Sequence, residues 1–230
     1  MGELKVKDKD IIIPGEVLAV GMDFLPANGT FREEDKIIAS EIGIVNVSGR
    51  LIKLVPLTGR YIPKKGDAVI GKVVDIGLNG WRVDIRWAYE ANLGLKEASP
   101  DFIDSRKTNL ADYYNFGDII MAQISFVTGS KIVDLSMRGP GLRKLIGGRI
   151  IEIIPSKVPR VIGKQGSMIS MIKEKTDCRI LVGQNGRVWI SGADPKKELI
   201  AAKTIKKIDE ESTVDGLTDT IKDFLEKECK

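Results

Sequence analysis

The sequence contains no histidine and only two cysteines, and these absences exclude several classes of function. Without histidine the chain cannot form a Ser-His-acid or Cys-His nucleophile, and it has neither a histidine general base nor a histidine ligand for zinc. Cys178 and Cys229 lie far apart, so they predict neither a disulfide framework nor a pair of thiolates spaced for a metal. We therefore expect a protein without a metal or a cofactor, with free thiols in a reducing compartment.

Aromatic residues and long apolar runs are also scarce. Aromatics make up 6% of the 230 residues, so the core must be mainly aliphatic, and the apolar fraction of 43% is enough to form one. The longest uncharged stretch, residues 119–130, is too short to cross a bilayer. The charged N-terminus has no apolar segment after it and so predicts no signal peptide. We expect a cytoplasmic protein that has no membrane partner.

Charge is unevenly distributed along the chain, although the formal net charge is only +4. Residues 146–207 contain 13 basic and five acidic side chains, whereas residues 208–230 contain three basic and eight acidic ones. A basic block of this kind is typical of a protein that binds a polyanion, but an ordinary lysine-rich surface would give the same pattern. The acidic tail is typical of a solvated or protein-facing element.

The first 58 residues predict a small β-domain. Residues 11–13 precede a Pro-Gly turn, residues 37–47 are rich in β-branched side chains, and Ser48-Gly49 predicts a turn before the alternating residues 51–55. Residues 25–34 contain proline, asparagine and glycine, and this composition predicts a loop.

Residues 59–142 predict a five-stranded barrel. After a linker-like segment, the stretches 66–76, 80–85 and 91–96 predict three strands, and 117–124 and 132–137 predict two more. A polar segment with a helical turn at 110–116 separates the third strand from the fourth. Five short strands with such an insertion are typical of the Greek-key barrels of OB-type domains, which bind nucleic acids.

Residues 147–230 predict an α+β domain followed by a helical tail. The expected order is a strand at 149–154, two short helices within 159–176, a hairpin with the turn Asn185-Gly186, and a helix that begins at Asp194-Pro195. The acidic tail predicts an amphipathic docking helix, whose apolar stripe is formed by Leu217, Ile221, Phe224 and Leu225.

The motif Gly163-Lys164-Gln165-Gly166 joins the two short helices inside the basic block. Glycines at such a turn let a nucleic-acid backbone approach without a Cβ in the way, the amides that open the second helix can face phosphate, and Lys164 adds a positive charge. A KH module clamps about four nucleotides by this device. The alternative interpretation is a helix-helix turn without a ligand. Two further Gly-x-x-Gly motifs, at 77–80 and 183–186, lie between strands and are interpreted as turns.

The six-element order and this motif resemble a type I KH domain. Residues 64–138 resemble an S1 RNA-binding domain, through the Gly-Asp pairs at 66–67 and 117–118 and the segments 80–85 and 135–138. A β-domain followed by an S1 domain and a KH domain resembles the RNA-binding cap subunit of the archaeal exosome. The expected fold class is multidomain, mainly β and then α+β. The expected domains are an N-terminal β-domain at 1–58, an S1 barrel of OB type at 59–142, and a KH domain with its acidic helix at 147–230.

The resemblance implies a non-catalytic subunit that recruits single-stranded, adenine-rich RNA 3′ ends for 3′-to-5′ degradation. Such subunits form a homotrimeric cap, in some assemblies mixed with a zinc-ribbon cap subunit, on a hexameric ring of phosphorolytic exoribonuclease subunits. The N-terminal β-domain has little basic excess and is expected to dock on that ring. The candidate RNA-binding residues are Arg160, Gly163, Lys164, Gln165 and Gly166 in the KH domain, and Arg82, Arg86, Arg106, Lys107 and Arg138 in the S1 domain.

The S1 segment departs from the common pattern, in which aromatic side chains on the second and third strands stack on bases. Arg82 and Gly94 fall at these positions, so we expect positive charge acting on the RNA backbone rather than stacking. Trp81 and Trp189 are interpreted as core or partly buried residues. Replacing both Gly163 and Gly166 with Asp is expected to weaken RNA binding and to leave the fold intact.

Two other functions are compatible with the same modules. A free-standing S1/KH RNA-binding or translation-associated factor would behave as a monomer, and a ribonuclease would shorten RNA by itself. A nuclease could hold metal ions with clustered carboxylates. Asp101 with Asp104 lies in a polar segment, and Asp219 with Asp223 lies on the acidic tail, so neither pair predicts a metal site.

Overall fold

The computed structural model describes residues 2–99, 109–212 and 216–228. The chain forms two compact units, which meet in sequence between Gly59 and Arg60. Within the described ranges, every helix is too short or too polar to span a bilayer.

The described part of the first unit contains eight short strands. They are β1 (Glu3–Leu4), β2 (Ile11–Ile12), β3 (Val17–Val20), β4 (Leu25–Pro26), β5 (Thr30–Glu33), β6 (Lys36–Ala39), β7 (Gly43–Ser48) and β8 (Leu51–Pro56). They form two four-stranded sheets, with the orders β1-β3-β6-β5 and β2-β7-β8-β4. Buried aliphatic residues from both sheets, such as Leu18, Ile37 and Ile52, form one shared core. The predicted turn at Ser48-Gly49 joins β7 to β8.

The loop predicted for residues 25–34 is wrong, because the segment contains two of these strands. β4 pairs in parallel with β8, and β5 pairs in antiparallel fashion with β6. Gly29 turns the chain between them with a φ of +76°. Asn28 and Gly29 therefore mark the turn, whereas Pro26 lies in β4. The pairing of β5 depends on its neighbour β6, which local composition does not reveal.

The second unit begins with the five-stranded barrel that the sequence predicts. Its strands are β9 (Ala68–Gly77), β10 (Gly80–Asp84), β11 (Ala91–Gly94), β12 (Ile119–Val127) and β13 (Val133–Ser136), with the short helix α1 (Leu95–Ala98) after β11. Pairing runs β13-β11-β10-β9-β12, and β12 also pairs with β13, so the barrel is closed. A 3-10 turn at Leu110–Asp112 stands where the helical turn is expected. Trp81 is buried in the barrel core, where its Nε1 donates to the carbonyl oxygen of Tyr114 at 2.8 Å.

A sixth strand, β14 (Arg143–Leu145), extends this sheet beyond the predicted barrel. It pairs with residues 119–121 of β12, next to the part of β12 that pairs with β13. Leu145 then packs with Ile70 and Met121 of the barrel and with Trp189 of the following domain. This strand therefore continues the barrel sheet toward the C-terminal domain.

The C-terminal domain has the predicted order of strand, helix, helix, strand, strand and helix. The elements are β15 (Arg149–Glu152), α2 (Val158–Ile162), α3 (Ser167–Thr176), β16 (Arg179–Val182), β17 (Arg187–Ser191) and α4 (Pro195–Glu210). The sheet is antiparallel with the order β15-β17-β16. The side chain of Asp194 accepts a hydrogen bond from the backbone N–H of Lys196 at 2.8 Å and so caps α4.

The predicted amphipathic helix is α5 (Leu217–Glu228), and it docks on its own domain. Leu217, Ile221 and Leu225 are buried in the core that α3 and α4 share. Ion pairs join its acidic face to the basic block, from Lys175 to Glu226 at 3.7 Å and from Lys203 to Glu228 at 3.8 Å. The acidic tail thus balances part of the positive charge on the helices that it covers.

Candidate nucleic-acid interface

The GKQG loop between α2 and α3 has a backbone that requires glycine at its first position, Gly163. The φ angles of Gly163, Gln165 and Gly166 are +77°, +53° and +80°. A Cβ on Gly163 would lie 2.7 Å from both the backbone nitrogen and the Cβ of Met168, whereas a Cβ on Gly166 would meet no atom within 4 Å. Replacement of both glycines with Asp, which the sequence analysis expects to leave the fold intact, would therefore place a side chain at Gly163 against the first turn of α3.

A groove of about 380 Å³ lies beside this loop. Arg160 at the end of α2 and Lys164 in the loop line it, and both side chains are exposed. The start of α5 lines the groove as well and brings Asp219 to it. Gln165 is exposed in the same loop. The structure thus brings the five candidate residues of this domain together around one open surface that carries two cations.

The three described candidate residues of the barrel, Arg82, Arg86 and Arg138, are not gathered in this way. Arg82 on β10 lies 3.5 Å from Glu90 and 4.0 Å from Asp75, so acidic neighbours already compensate its charge. Arg138 is exposed, and its Nε donates to the carbonyl oxygen of Ser99 at 3.2 Å. Arg106 and Lys107 lie outside the described residues.

Arg86 lies between the barrel and the C-terminal domain rather than on an open face. Its Nη1 donates to the carbonyl oxygen of Ile153 at 2.9 Å, and its Nε lies 3.6 Å from a carboxylate oxygen of Glu152. The side chain is 31% exposed. These contacts give Arg86 a structural role, which holds the turn after β10 against the end of β15.

Two further residues of this contact were missed by the sequence analysis. Arg187 on β17 donates through Nη2 to the carboxylate of Asp84 at 2.6 Å and through Nη1 to the carbonyl oxygen of Asp84 at 2.7 Å. Asn185 is completely buried, and its amide bonds the backbone N–H and carbonyl of Ile70 and the carbonyl of Ile85. The signal was present in Asn185-Gly186, but it indicates only a turn and not what the asparagine side chain contacts.

Asp84 is held ionised by this arrangement. Burial opposes its ionisation, but the hydrogen bonds from Arg187 and from the backbone N–H of Arg86, with the charges of Arg187 and Lys72, outweigh the burial. The pKa of Asp84 therefore lies below its ordinary value. At neutral pH the two domains are joined by an ion pair whose cationic side chain is only 11% exposed. Trp189, interpreted from the sequence as a core or partly buried residue, is buried and packs with Ile70 and Met121 of the barrel.

The outer face of the barrel carries a second concavity, of about 680 Å³. Side chains from β10, from β11 and from two loops line it: Arg82, Ala88, Tyr89, Glu90, Asn92, Ser130, Lys131 and Ile132. We call it the barrel cleft.

The described residues do not form a cluster of metal ligands. Within the described ranges, no three Cys, Asp or Glu side chains are grouped closely enough to hold one. Asp219 and Asp223 are exposed on α5, and Asp101 and Asp104 lie outside the described residues. Burial raises the pKa of the Cys178 thiol, so this cysteine is a poor nucleophile and a poor metal ligand.

Two protein-family models match the two parts of the second unit, the barrel and the C-terminal domain. Residues 60–126 match the family model described as "RRP4, S1 domain", and residues 148–196 match the model of the KH domain. A crystal structure described as that of an exosome complex RNA-binding protein has a TM-score of 0.69 and 36% identity, and the match covers 74% of this chain and 97% of that one.

Three relatives that match nearly the whole chain have the same name. The exosome complex component Rrp4 of Methanothermus fervidus is 48% identical, over 96% of this chain and 97% of the relative. The proteins of the same name from Thermococcus kodakarensis and Pyrococcus abyssi are each 44% identical over 98% of this chain, and the matches cover 88% and 85% of those relatives. Identity of this extent, over nearly the whole chain, shows that the chain belongs to the family of the exosome complex component Rrp4.

Proposed function

We propose that the protein is the RNA-binding subunit of an exosome and that it delivers the single-stranded 3′ end of an RNA to a partner nuclease. The observation that carries the proposal is the GKQG loop, which sets Arg160 and Lys164 beside a backbone that only glycine can adopt at Gly163. The resemblance along the whole chain to Rrp4 proteins supports the assembly part of the proposal.

The KH loop is suited to a phosphate backbone. Gly166 leaves open space beside the chain, so a nucleotide can approach the main chain closely. The first amides of α3 have no partners within the helix, and the helix dipole makes this end positive. The exposed side chains of Arg160, Lys164 and Gln165 add charge and hydrogen-bond donors at the same place. We propose that these residues and the two glycines bind about four nucleotides.

The barrel contributes a second contact on the same rigid body. We propose that Arg82 and Arg138, with Arg106 and Lys107, lie along the path of the RNA, and we assign Arg86 to holding the domains together. The contacts of Asn185 and Arg187 fix the barrel against the KH domain, so a strand that has bound one contact meets the other at a high effective concentration. Modest sites can in this way give a useful total affinity.

We further propose that the protein leaves bond cleavage to its partner. The chain lacks histidine, and its described carboxylates are dispersed or engaged with basic side chains. The expected partner is a hexameric ring of phosphorolytic subunits in the cytoplasm, on which this protein would form a homotrimeric cap, alone or mixed with a zinc-ribbon subunit. The preference for adenine-rich ends belongs to the same proposal.

The test uses purified protein, the purified phosphorolytic ring and a labelled single-stranded RNA. We expect the protein to co-elute with the ring, to bind the RNA with an affinity that falls steeply with salt, and to accelerate degradation by the ring. With Mg²⁺ and phosphate but without the ring, the RNA should keep its length. Shortening of the RNA by the protein alone would make it a nuclease. If the protein binds RNA as a monomer and does not co-elute with the ring, it is a free-standing RNA-binding factor.

A further inference from the structure

We propose that Asp219 of α5 weakens the binding of RNA in the groove beside the GKQG loop and so lets a bound strand pass on to the partner nuclease. We call this groove, whose lining includes Arg160, Lys164 and Asp219, the KH groove. The inference rests on the proposed function, because it assumes that the phosphates of an RNA enter the KH groove.

The KH groove is lined by side chains of both charges, which come from three different elements. Arg160 belongs to α2, Lys164 to the GKQG loop and Asp219 to the first turn of α5. All three side chains are exposed. None of the ion pairs between described residues involves these three charges. A phosphate that enters the groove therefore meets two cations and one carboxylate that are not already paired with each other.

Asp219 is held at the groove by the packing of its own helix. Leu217 and Ile221, two positions before and two positions after it, are buried in the core that α3 and α4 share. The backbone N–H of Asp219 donates to the carbonyl oxygen of Gly216 at 3.1 Å, where the helix begins. Moving the carboxylate away from the groove would expose the buried side chains of Leu217 and Ile221 to water, which is unfavourable. The negative charge is therefore a fixed part of the groove.

The acidic residues at the other end of α5 are engaged differently. Glu226 pairs with Lys175 at 3.7 Å, and Glu228 pairs with Lys203 at 3.8 Å. These two carboxylates are compensated by lysines of the helices that α5 covers, whereas Asp219 has no such partner among the described residues. Its charge therefore acts on whatever occupies the groove. Because each nucleotide brings a negatively charged phosphate, the carboxylate opposes the attraction of the two cations.

A moderate affinity suits a protein that passes RNA to another subunit. The positive charges of Arg160 and Lys164 attract the backbone of RNA whatever its sequence, and a strand held too tightly would stay in the groove. The proposed partner removes nucleotides from the 3′ end, so the strand has to advance during degradation. A carboxylate in the groove favours this movement, because weaker binding in related complexes is mostly faster dissociation.

The experiment compares Asp219→Asn with Asp223→Asn and Asp219→Glu in the full-length protein. Asparagine keeps the size of aspartate and removes its charge, whereas glutamate keeps the charge. Asp223 is exposed one turn further along the same helix and does not line the groove, so its replacement is a matched loss of one charge. Circular dichroism and thermal melting establish that each variant folds.

Two quantities are measured with a labelled single-stranded oligoadenylate. Fluorescence anisotropy gives the dissociation constant, and a chase with excess unlabelled oligoadenylate gives the dissociation rate. We expect Asp219→Asn to bind about two- to fivefold more tightly at low salt, the range for removing one unit charge near a phosphate. Its complex should dissociate more slowly by a similar factor, and both effects should shrink as salt screens the charges. Asp223→Asn should change the affinity by less than about 1.5-fold, and Asp219→Glu should not tighten binding.

The outcomes separate this inference from the proposed function. Equal affinities of wild type and Asp219→Asn would overturn the inference and leave the proposed function intact. Equal gains in Asp219→Asn and Asp223→Asn would also overturn it, because the effect would then come from the net charge of the chain. Tighter binding without slower dissociation would overturn the role of Asp219 in release. If the wild type does not bind the oligoadenylate at low salt, alone or on the ring, the proposed function itself fails.

Discussion

Arg187 of the KH domain and Asp84 of the S1 barrel share two hydrogen bonds, of 2.6 Å to the carboxylate and 2.7 Å to the main-chain carbonyl. The two residues are 103 positions apart in the sequence. The same two domains are also joined by the amide of Asn185, which donates to the carbonyl oxygen of Ile85, and by the buried ring of Trp189, which packs with Ile70, so the contact between them is both polar and apolar. Its strength can be measured directly.

Arg187→Ala should lower the free energy of unfolding by about 2 kcal/mol. Removing one partner of a buried pair commonly costs about 3–5 kcal/mol, and the partial exposure of Asp84 reduces this figure. Urea denaturation followed by tryptophan fluorescence measures the change. The control is Arg82→Ala, whose ion pairs are 61% exposed on the arginine side and should contribute less than about 1 kcal/mol. Equal losses of unfolding free energy in the two variants would contradict the inference that the Arg187–Asp84 pair stabilises the contact between the domains.

The stability that Asp84 contributes should disappear in acid. Its pKa is lower in the folded protein than in the unfolded chain, so the contribution is complete above the ordinary carboxyl pKa of about 3.9 and is lost as the pH falls through the lower, folded value. Wild type should therefore melt at a higher temperature than Asp84→Asn at pH 7, and the difference should narrow below about pH 4. A difference that stays constant down to pH 3, or that widens, would show that the carboxylate charge does not stabilise the fold.

Gly166→Asp should weaken RNA binding about three- to tenfold at low salt, since one unit charge beside a phosphate changes the binding energy by about 1 kcal/mol. Gly166 has a left-handed backbone and open space around it, and Asn and Asp tolerate this conformation better than other side chains. Gly166→Asn is the matched control, because it adds nearly the same atoms without the charge and should bind within about twofold of wild type. Fluorescence anisotropy with a labelled oligonucleotide measures both, and equal losses would point to a steric effect.

Ile221→Ala should destabilise the KH domain by about 2–4 kcal/mol, because it empties a fully buried site between α5 and the helices it covers. Thermal melting gives the shift, with Lys222→Ala as an exposed neighbour on the same helix that should change stability by less than about 0.5 kcal/mol. A small effect of Ile221→Ala would mean that α5 is not part of the cooperative core.

Local patterns in the sequence were sufficient for most of the elements of the second unit. The barrel strands follow apolar stretches that glycine and asparagine turns separate, and Asp194 with Pro195 predicts the start of α4 correctly. The strand β5 was missed because its place in the sheet depends on β6, and β14 was missed because its pairing with β12 depends on residues more than twenty positions earlier.

The site was harder to predict than the fold, because its residues act across domains. Asn185 bonds backbone atoms 100 and 115 positions away, and no local pattern distinguishes such an asparagine from an ordinary turn residue. Arg86 resembles a free surface cation in the sequence, yet it is engaged by Glu152 and by a carbonyl oxygen of the next domain. In the GKQG loop the prediction concerned neighbouring residues, and the structure does bring them together.

The buried amide of Asn185 fixes the distance between the barrel and the KH domain, because it bonds backbone atoms of Ile70 and Ile85. Because the barrel and the KH domain are fixed against each other, an RNA that contacted both, as proposed, would have a constant number of nucleotides between the KH loop and the barrel. Oligonucleotides too short to reach across this gap would occupy one end only, and affinity would rise in a step, not gradually, once the strand is long enough to touch both.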